Sequence, residues 1–457
     1  MYRNASNQGE EEHNEGDGSG SSQVGGVPGN EEEADEEEEQ FDISLAASHS
    51  YMGSGLVEVS GRSVLEAGWE GRVPVTAHHG TVFPGETVPM LLTNSHDAAI
   101  ITRAIQQDKL FGLLCPDDSG SLVSGYGVLC EVYAAGDVDS PTVISFKARA
   151  THRFRCLNLT KQPLPIHAFN RMKFLEIRVL PEVRLGDPLR HSRLASLDAL
   201  RRTTTELDSR LRSMDAAVTP WPLFVYNMFD YRRLRQLIKD YFKSMSMENV
   251  PTEAVSLSFW TASNLALNPR DSLALFVVDD ALLRLHMEVC IIMRKSLLCC
   301  LSCGVEIARR EHIFAMSSEG VHSNYTNLGG YMHDIVTVST ATNTEMNGAP
   351  SEEFSWFPGY AWTIALCATC MCHVGWRFDA QKRNLRPQRF YGLCRNYVQP
   401  RSEDERSPHE RSMTPPPQPA LDPSALSEEL HAARLALAAY VHVPERRIDD
   451  DADEPSM

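Results

Sequence analysis

Two C-x-x-C pairs constrain this chain more than any other feature. Cys300-Leu301-Ser302-Cys303 and Cys367-Ala368-Thr369-Cys370 are separated by 63 residues. A two-residue gap lets both sulfurs of a tight turn reach one tetrahedral ion, and two such turns complete a closed four-sulfur zinc site. A structural zinc of this kind contributes on the order of 10–16 kcal/mol of apparent folding free energy. The intervening segment must therefore fold back so that its ends meet. Four thiolates fill the coordination sphere, which leaves this metal no open position for Lewis-acid catalysis. Cys299 adjoins the first pair, and Cys372 and His373 follow the second as alternative ligands, but only 300/303 and 367/370 share one spacing. The 11 cysteines, an odd number, suit a reducing compartment in which thiols meet metal rather than each other. Cys115, Cys130, Cys156 and Cys290 sit among apolar residues and read as buried small hydrophobes.

The same region is rich in aromatic residues. Three of the six tryptophans, Trp356, Trp362 and Trp376, fall within 21 residues, with Phe354, Phe357, Tyr360 and Phe378 among them. A domain core explains such clustering. So does a cage whose ring faces enclose a small ligand, with backbone groups at the Pro358-Gly359 turn supplying hydrogen bonds. Clustering alone does not separate the two. No G-x-x-x-x-G-K-[ST], H-E-x-x-H or G-x-S-x-G motif occurs, which argues against a P-loop ATPase, a zincin and a nucleophile-elbow hydrolase. His333 and His373 read as structural.

Charge divides the chain into three. Residues 1–42 carry 14 acids and one arginine, net −13; residues 403–457 are net −8; the body between is about neutral at +3. The acidity therefore belongs to the ends, and a basic nucleic-acid-binding surface is not indicated. The first segment is Gly/Ser/Asn-rich and then nearly pure acid at Glu31–Glu39. It is expected to be a disordered acidic tail over 1–72, because it offers too little apolar area to offset its ordering entropy. It does not read as a signal or transit peptide. The longest apolar run, Leu435–Val441, is far short of the roughly 18 residues that span a bilayer.

Strands are expected at Val73–Ala77, Thr87–Leu92, Phe111–Cys115, Gly125–Tyr133, Val143–Ala150 and Phe174–Leu180, with a helix over Ser95–Lys109 capped by Ser95. After Pro181 the pattern turns helical: Leu194–Met214, Trp221–Met245, and Asn268–Lys295 opened by Asn268 and Pro269. From Leu297 to about Tyr397 it is β-rich again. A Pro-rich linker at Thr414–Pro419 precedes a candidate amphipathic helix, Pro423–Val443, and the 403–457 segment is expected to be mostly disordered.

The run Ser355-Trp356-Phe357-Pro358-Gly359-Tyr360-Ala361-Trp362-Thr363, then Cys367–Cys370, His373–Phe378 and Pro387–Leu393, closely resembles the cereblon family. Asn327 and Gly330-Tyr331-Met332-His333 also match it, and Val75 with Phe83–Pro89 is similar to the Lon protease N-terminal domain that the family carries. The resemblance covers about 73–402. It implies an α+β multidomain protein: a β-rich Lon-N-like domain over 73–293, including an adaptor-binding helical bundle at about 185–293, then a zinc-bearing β-tent domain over 294–402.

By that likeness Trp356, Trp362 and Trp376 wall a cage for cyclic imides, Phe378 closes it, and Asn327 borders it. Cys300, Cys303, Cys367 and Cys370 hold one structural zinc away from the ligand. Vertebrate members typically place His two residues before the first cage Trp; here it is Phe354, which retains the backbone groups but not a side-chain hydrogen bond worth about 0.5–1.5 kcal/mol. The implied role is a non-enzymatic substrate receptor of a cullin–RING ubiquitin ligase. It docks through its helices on the damaged-DNA-binding adaptor and captures proteins bearing a C-terminal cyclic imide or other degron for proteasomal degradation. No direct nucleic-acid or membrane partner is implied, and the expected location is cytoplasm and nucleus. Three other classes compete. A zinc-bearing methionine sulfoxide reductase shares the β-tent plan and would use Cys394 in Cys394-Arg395-Asn396. A protease accessory lacks ATPase and catalytic modules here. A ligand-binding module without a ligase role differs only in its partner.

Overall fold

Strand Glu70–Ala77 buries Val73 and Val75 on one side of the first sheet. The computed structural model describes residues 38–53, 55–61, 65–136, 143–159, 164–294 and 296–402. The sheet runs Val57–Glu58, Val123–Ala135, Leu110–Pro116, Glu70–Ala77, Lys173–Val179, Ile144–Cys156, Thr87–Leu92. Val123–Ala135 also pairs with Ile144–Cys156, so the central strands close on themselves and leave few free edges. Within this sheet only the Glu70–Ala77 and Leu110–Pro116 pair is parallel among the described strands. Helix Ser95–Gln106 follows Asn94, whose side chain accepts from the His96 and Asp97 amides. The cap is thus Asn94 and not Ser95, since the oxygen that reaches those orphan donors is one residue earlier.

The helical region packs on this sheet through two buried arginines. Arg153, on strand Ile144–Cys156, donates to the Phe276 carbonyl at 2.6 Å, the Pro181 carbonyl at 2.7 Å, Glu182 at 2.6 Å and Asp279 at 3.0 Å. Arg284, on helix Ala281–Met293, meets Glu182 at 2.9 Å and Ser258 Oγ at 3.1 Å, with its guanidinium 3.8 Å from the Phe259 ring centroid. Arg153 bonds to oxygen through all three of its nitrogens; Arg284 does so through both Nη atoms, while its Nε is buried without a partner and its guanidinium face is stacked on Phe259. Helix Ala254–Ser263 was not expected from the sequence. The run expected over Leu194–Met214 divides into short turns and Thr205–Ala217; Trp221–Met245 divides into Leu223–Asn227 and Tyr231–Lys243; Asn268–Lys295 divides into Pro269–Phe276 and Ala281–Met293. Each break carries its own cap, as at Asp230 and Asp280.

The second β region contains a six-stranded antiparallel sheet, ordered His322–Thr326, Met332–Val338, Arg389–Cys394, His373–Ala380, Tyr360–Cys367, Thr344–Ser351. Beside it a three-stranded sheet places Ser296–Cys300 between Glu306–Arg309 and Val398–Ser402. The region's first strand therefore pairs with its last. Strand His322–Thr326 also faces Thr87–Leu92 of the first sheet. Asn324 Nδ2 donates to Glu86 Oε2 at 2.8 Å and to the Thr87 carbonyl at 3.2 Å, and Thr326 Oγ1 donates to the Pro89 carbonyl. Arg395 adds a 2.6 Å bond to the Ser263 carbonyl.

The expected disordered tail over 1–72 is corrected in its second half. Glu39–Gln40 pairs in parallel with Leu385–Arg386, and Asp42 caps helix Ile43–Ala47. Phe41 is the anchor: its ring lies edge-on to Tyr360 at 5.5 Å and to Phe357 at 6.3 Å. One buried aromatic and a backbone pairing suffice to order a strap that is too short for a periodicity signal. The acidic run up to Glu37 and all of 403–457, including the candidate helix Pro423–Val443, lie outside the described residues.

Candidate functional site

Each C-x-x-C pair is a turn whose next residue has a left-handed backbone, Gly304 at φ 77° and Met371 at φ 59°. The Gly304 amide returns to the Cys300 carbonyl at 2.9 Å, and the Met371 amide to the Cys367 carbonyl at 2.8 Å. At Gly304 the left-handed backbone favours glycine, and a Cβ there would also displace the end of the Arg401 side chain, whose Nη1 would lie 2.6 Å away. The turns bring Cys300 Sγ to 3.6 Å from Cys370 Sγ and Cys303 Sγ to 3.5 Å from Cys367 Sγ, with all four sulfurs within 4.8 Å of one another. A tetrahedral ion with Zn–S near 2.3 Å requires sulfurs about 3.8 Å apart, so the cluster fits zinc in number, donor type and spacing. The backbone N–H of Cys372 lowers the Cys370 thiol to about 6, which favours the thiolate that binds metal. Cys299 is buried and Cys372 exposed, and neither belongs to the cluster. The same holds for His373, whose Nε2 pairs with the Gly375 carbonyl at 2.9 Å.

The tryptophans line a separate cavity of about 280 Å³. Trp362 and Phe378 oppose each other across Tyr360–Cys367 and His373–Ala380, and Ile364 opposes Trp376 two residues on. Residues two apart share a sheet face, so one face presents two cross-strand pairs of wall groups, three of the four aromatic. Trp356 comes from the preceding loop and stands at 77° to Trp376 with ring centroids 4.8 Å apart. Its Nε1 donates to the Thr326 carbonyl at 3.1 Å, and Trp362 Nε1 donates to the Glu353 carbonyl at 2.9 Å. These bonds fix both indoles before any ligand arrives.

The six expected cage residues, Asn327, Phe354, Trp356, Trp362, Trp376 and Phe378, all line this one cavity. Trp356 at 5% exposure and Phe378 at 1% are also core residues, packed with Tyr325 and Phe357. Asn327 is committed to its own loop: Oδ1 accepts from the Tyr331 amide at 3.0 Å, and Nδ2 meets His333 Nε2 at 3.2 Å. Burial holds His333 down to about 4, so the ring is neutral at pH 7 and its Nε2 accepts that bond. Phe354 has a left-handed backbone, φ 56°, uncommon for a bulky residue. It is held by Tyr51, whose ring is edge-on at 5.0 Å and whose hydroxyl accepts from the Thr326 amide at 3.0 Å. The sequence reading missed Leu328, Gly329, Glu353 and Ile364 in the lining. Only Ile364 left a signal, through its alternation with Trp362.

Comparison with known proteins agrees with this architecture. Residues 72–294 match the family described as the ATP-dependent protease La (LON) substrate-binding domain. Residues 296–412 match the family described as Yippee zinc-binding/DNA-binding/Mis18, centromere assembly. A protein named cereblon from Danio rerio is 32% identical over 386 residues, covering 79% of this chain and 88% of its own length. The chain belongs to the cereblon family. The cereblon of Gallus gallus is 30% identical over 398 residues, covering 81% of this chain and 88% of its own. That of Drosophila virilis is 32% identical over 387 residues, and the match spans 59% of its length. A Lon-N-like region followed by a Yippee-like β region with one zinc site is thus the plan of this cereblon-family chain.

Proposed function

We propose that this cereblon-family protein is the substrate-recognition subunit of a cullin–RING ubiquitin ligase, and that its aromatic cavity captures C-terminal cyclic imides and similar degrons. The observation that carries the reading is the cage itself: three indoles and Phe378 around a small cavity, with the Trp356 and Trp362 N–H groups already bonded. A flat, uncharged imide ring matches such walls, which offer ring faces and exclude water. The imide's own donor and acceptor would be met by the backbone at Phe354 and Trp356. The receptor performs no bond chemistry; it holds a substrate near the transferring enzyme, which turns a bimolecular step into a nearly intramolecular one. The damaged-DNA-binding adaptor would dock on the helical region, where Met214, Val218 and Phe224 are exposed at 65%, 80% and 53% and suit apolar anchoring. The proposed domains are 73–293 and 294–402, and the proposed location is cytoplasm and nucleus.

The sulfoxide reductase alternative needs an accessible nucleophilic thiol at Cys394. That residue is 2% exposed, and burial pushes its thiol well above the usual range, which suits a structural cysteine.

The test is calorimetric titration of the zinc-loaded full chain with a peptide ending in a cyclic imide, beside Phe354→His. The expected result is saturable binding to the wild type, tightened about 2- to 12-fold in the variant if His restores one hydrogen bond. No binding by either folded, zinc-loaded protein rejects the imide reading. Co-purification of the adaptor with wild type and its loss on Val218→Glu/Phe224→Glu is expected; retention by the variant rejects the docking surface.

A further inference from the structure

The helical region contains another cavity, of about 430 Å³, whose wall includes Arg184, Arg190, Arg193, Arg201, Arg212 and Arg232. Three aspartates share that wall: Asp187, Asp208 and Asp230. Some of the cations are committed. Arg212 donates to both Asp187 oxygens and to the Tyr226 carbonyl, and Arg193 reaches Asp198 at 3.0 Å. Arg201 is 4% exposed and gives Nη2 to Asp215 at 2.5 Å. Its Nε, however, is buried without a hydrogen-bond partner, the nearest carboxylate oxygen, of Asp198, being 3.7 Å away. A buried guanidinium N–H without an acceptor is costly and calls for an explanation.

The remaining three arginines form no ion pair among the described residues, and all three are exposed. Arg184 lies 5.3 Å from the Tyr231 ring centroid, a stacking that holds the guanidinium in place without using its N–H groups. The pocket wall thus joins Arg201, which carries a buried orphan donor, to three exposed guanidinium groups without an ion pair among the described residues, of which Arg184 also helps hold the Glu253 carboxyl below its usual range. Guanidinium forks match the paired oxygens of phosphoryl groups, and several together favour a ligand with more than one. The volume is that of a small-molecule site.

We propose that this pocket binds a compact polyanion bearing two or more clustered phosphoryl groups, either free in solution or as a lipid headgroup. The inference goes beyond the receptor reading and does not rest on it. The full chain is titrated calorimetrically with inorganic tripolyphosphate at about 0.15 M salt, where unspecific surface attraction is largely screened. Saturable one-to-one binding is expected. Arg190→Ala/Arg232→Ala should weaken it by at least about tenfold, while Arg103→Ala, on helix Ser95–Gln106, leaves it unchanged. Circular dichroism verifies that the double variant is folded, and Arg190→Gln alone serves if it is not. A second arm measures sedimentation with phosphatidylcholine vesicles with and without phosphatidylinositol bisphosphate. Tripolyphosphate binding alone assigns a free ligand; added vesicle binding lost in the same variants assigns a headgroup. No saturable binding of tripolyphosphate, or binding undiminished in the folded variants, overturns the proposal.

Discussion

Truncating the three cage tryptophans should give unequal results, because the structure uses them differently. Trp356 is 5% exposed, stacked on Tyr325 at 5.2 Å and packed edge-on to Trp376, with its N–H on the Thr326 carbonyl. Trp356→Ala therefore opens a void in the core, at a cost of about 3–5 kcal/mol. The Thr326 carbonyl left without its donor adds on the order of 1 kcal/mol. Trp362 is only half-buried, and its N–H bond to Glu353 lies at an exposed position. Trp362→Ala should cost about 1–2 kcal/mol yet remove one wall of the cavity. Urea unfolding of the zinc-loaded chain, followed by near-ultraviolet circular dichroism, gives the stabilities; imide titration gives the affinities. Both variants should lose binding, but only Trp356→Ala should lose much stability. A Trp356→Ala protein within about 1 kcal/mol of wild type, or equal destabilisation by the two substitutions, refutes the division into core and wall.

Removing the metal should unfold the second β region: Cys367→Ser is expected to abolish zinc binding and the near-ultraviolet tryptophan signal, whereas Cys372→Ser keeps one zinc per chain by atomic absorption. Burial raises the Glu86 carboxyl to about 8, so between about 4.5 and 8 the folded chain holds a proton that the unfolded chain has released, and stability falls as pH rises through that window. The linkage amounts to on the order of 5 kcal/mol; Glu86→Gln should gain on wild type across the window in denaturation curves at stepped pH, and parallel curves contradict this. Arg153→Met strands Asp279 and two carbonyls and should cost about 3–5 kcal/mol by chemical denaturation; a loss below about 1 kcal/mol would show that Glu182 and Arg284 hold the helices to the sheet unaided.

The zinc cluster was legible because its geometry is local: two residues between thiolates already define half a tetrahedron, and only the meeting of the halves needed the fold. The sheet strands were legible from alternation and punctuation, though their ends extended by several residues where partners continue the ladder. Helix Ala254–Ser263 was not legible. It carries no charged residue and buries three of its four hydroxyl side chains beside its apolar ones, so no stripe marks it. The choice between cage and core for the tryptophans had no answer in sequence because Trp356 and Phe378 serve as both. Tyr51 escaped for another reason: its role is to hold Phe354, some three hundred positions away, and no local pattern announces a contact of that kind.

The pairing of Ser296–Cys300 with Val398–Ser402 has a consequence for how the chain is made. All four cysteines have emerged from the ribosome once Cys370 has, but the strand that flanks the first of them has not. Until about residue 402 is free, Ser296–Cys300 carries an open edge on the side that Val398–Ser402 will occupy. Synthesis therefore delivers the metal ligands before it delivers the seam that shuts the domain. A message cut short between these points encodes a complete zinc set on an unsealed sheet, with a strand edge open to pairing with other chains.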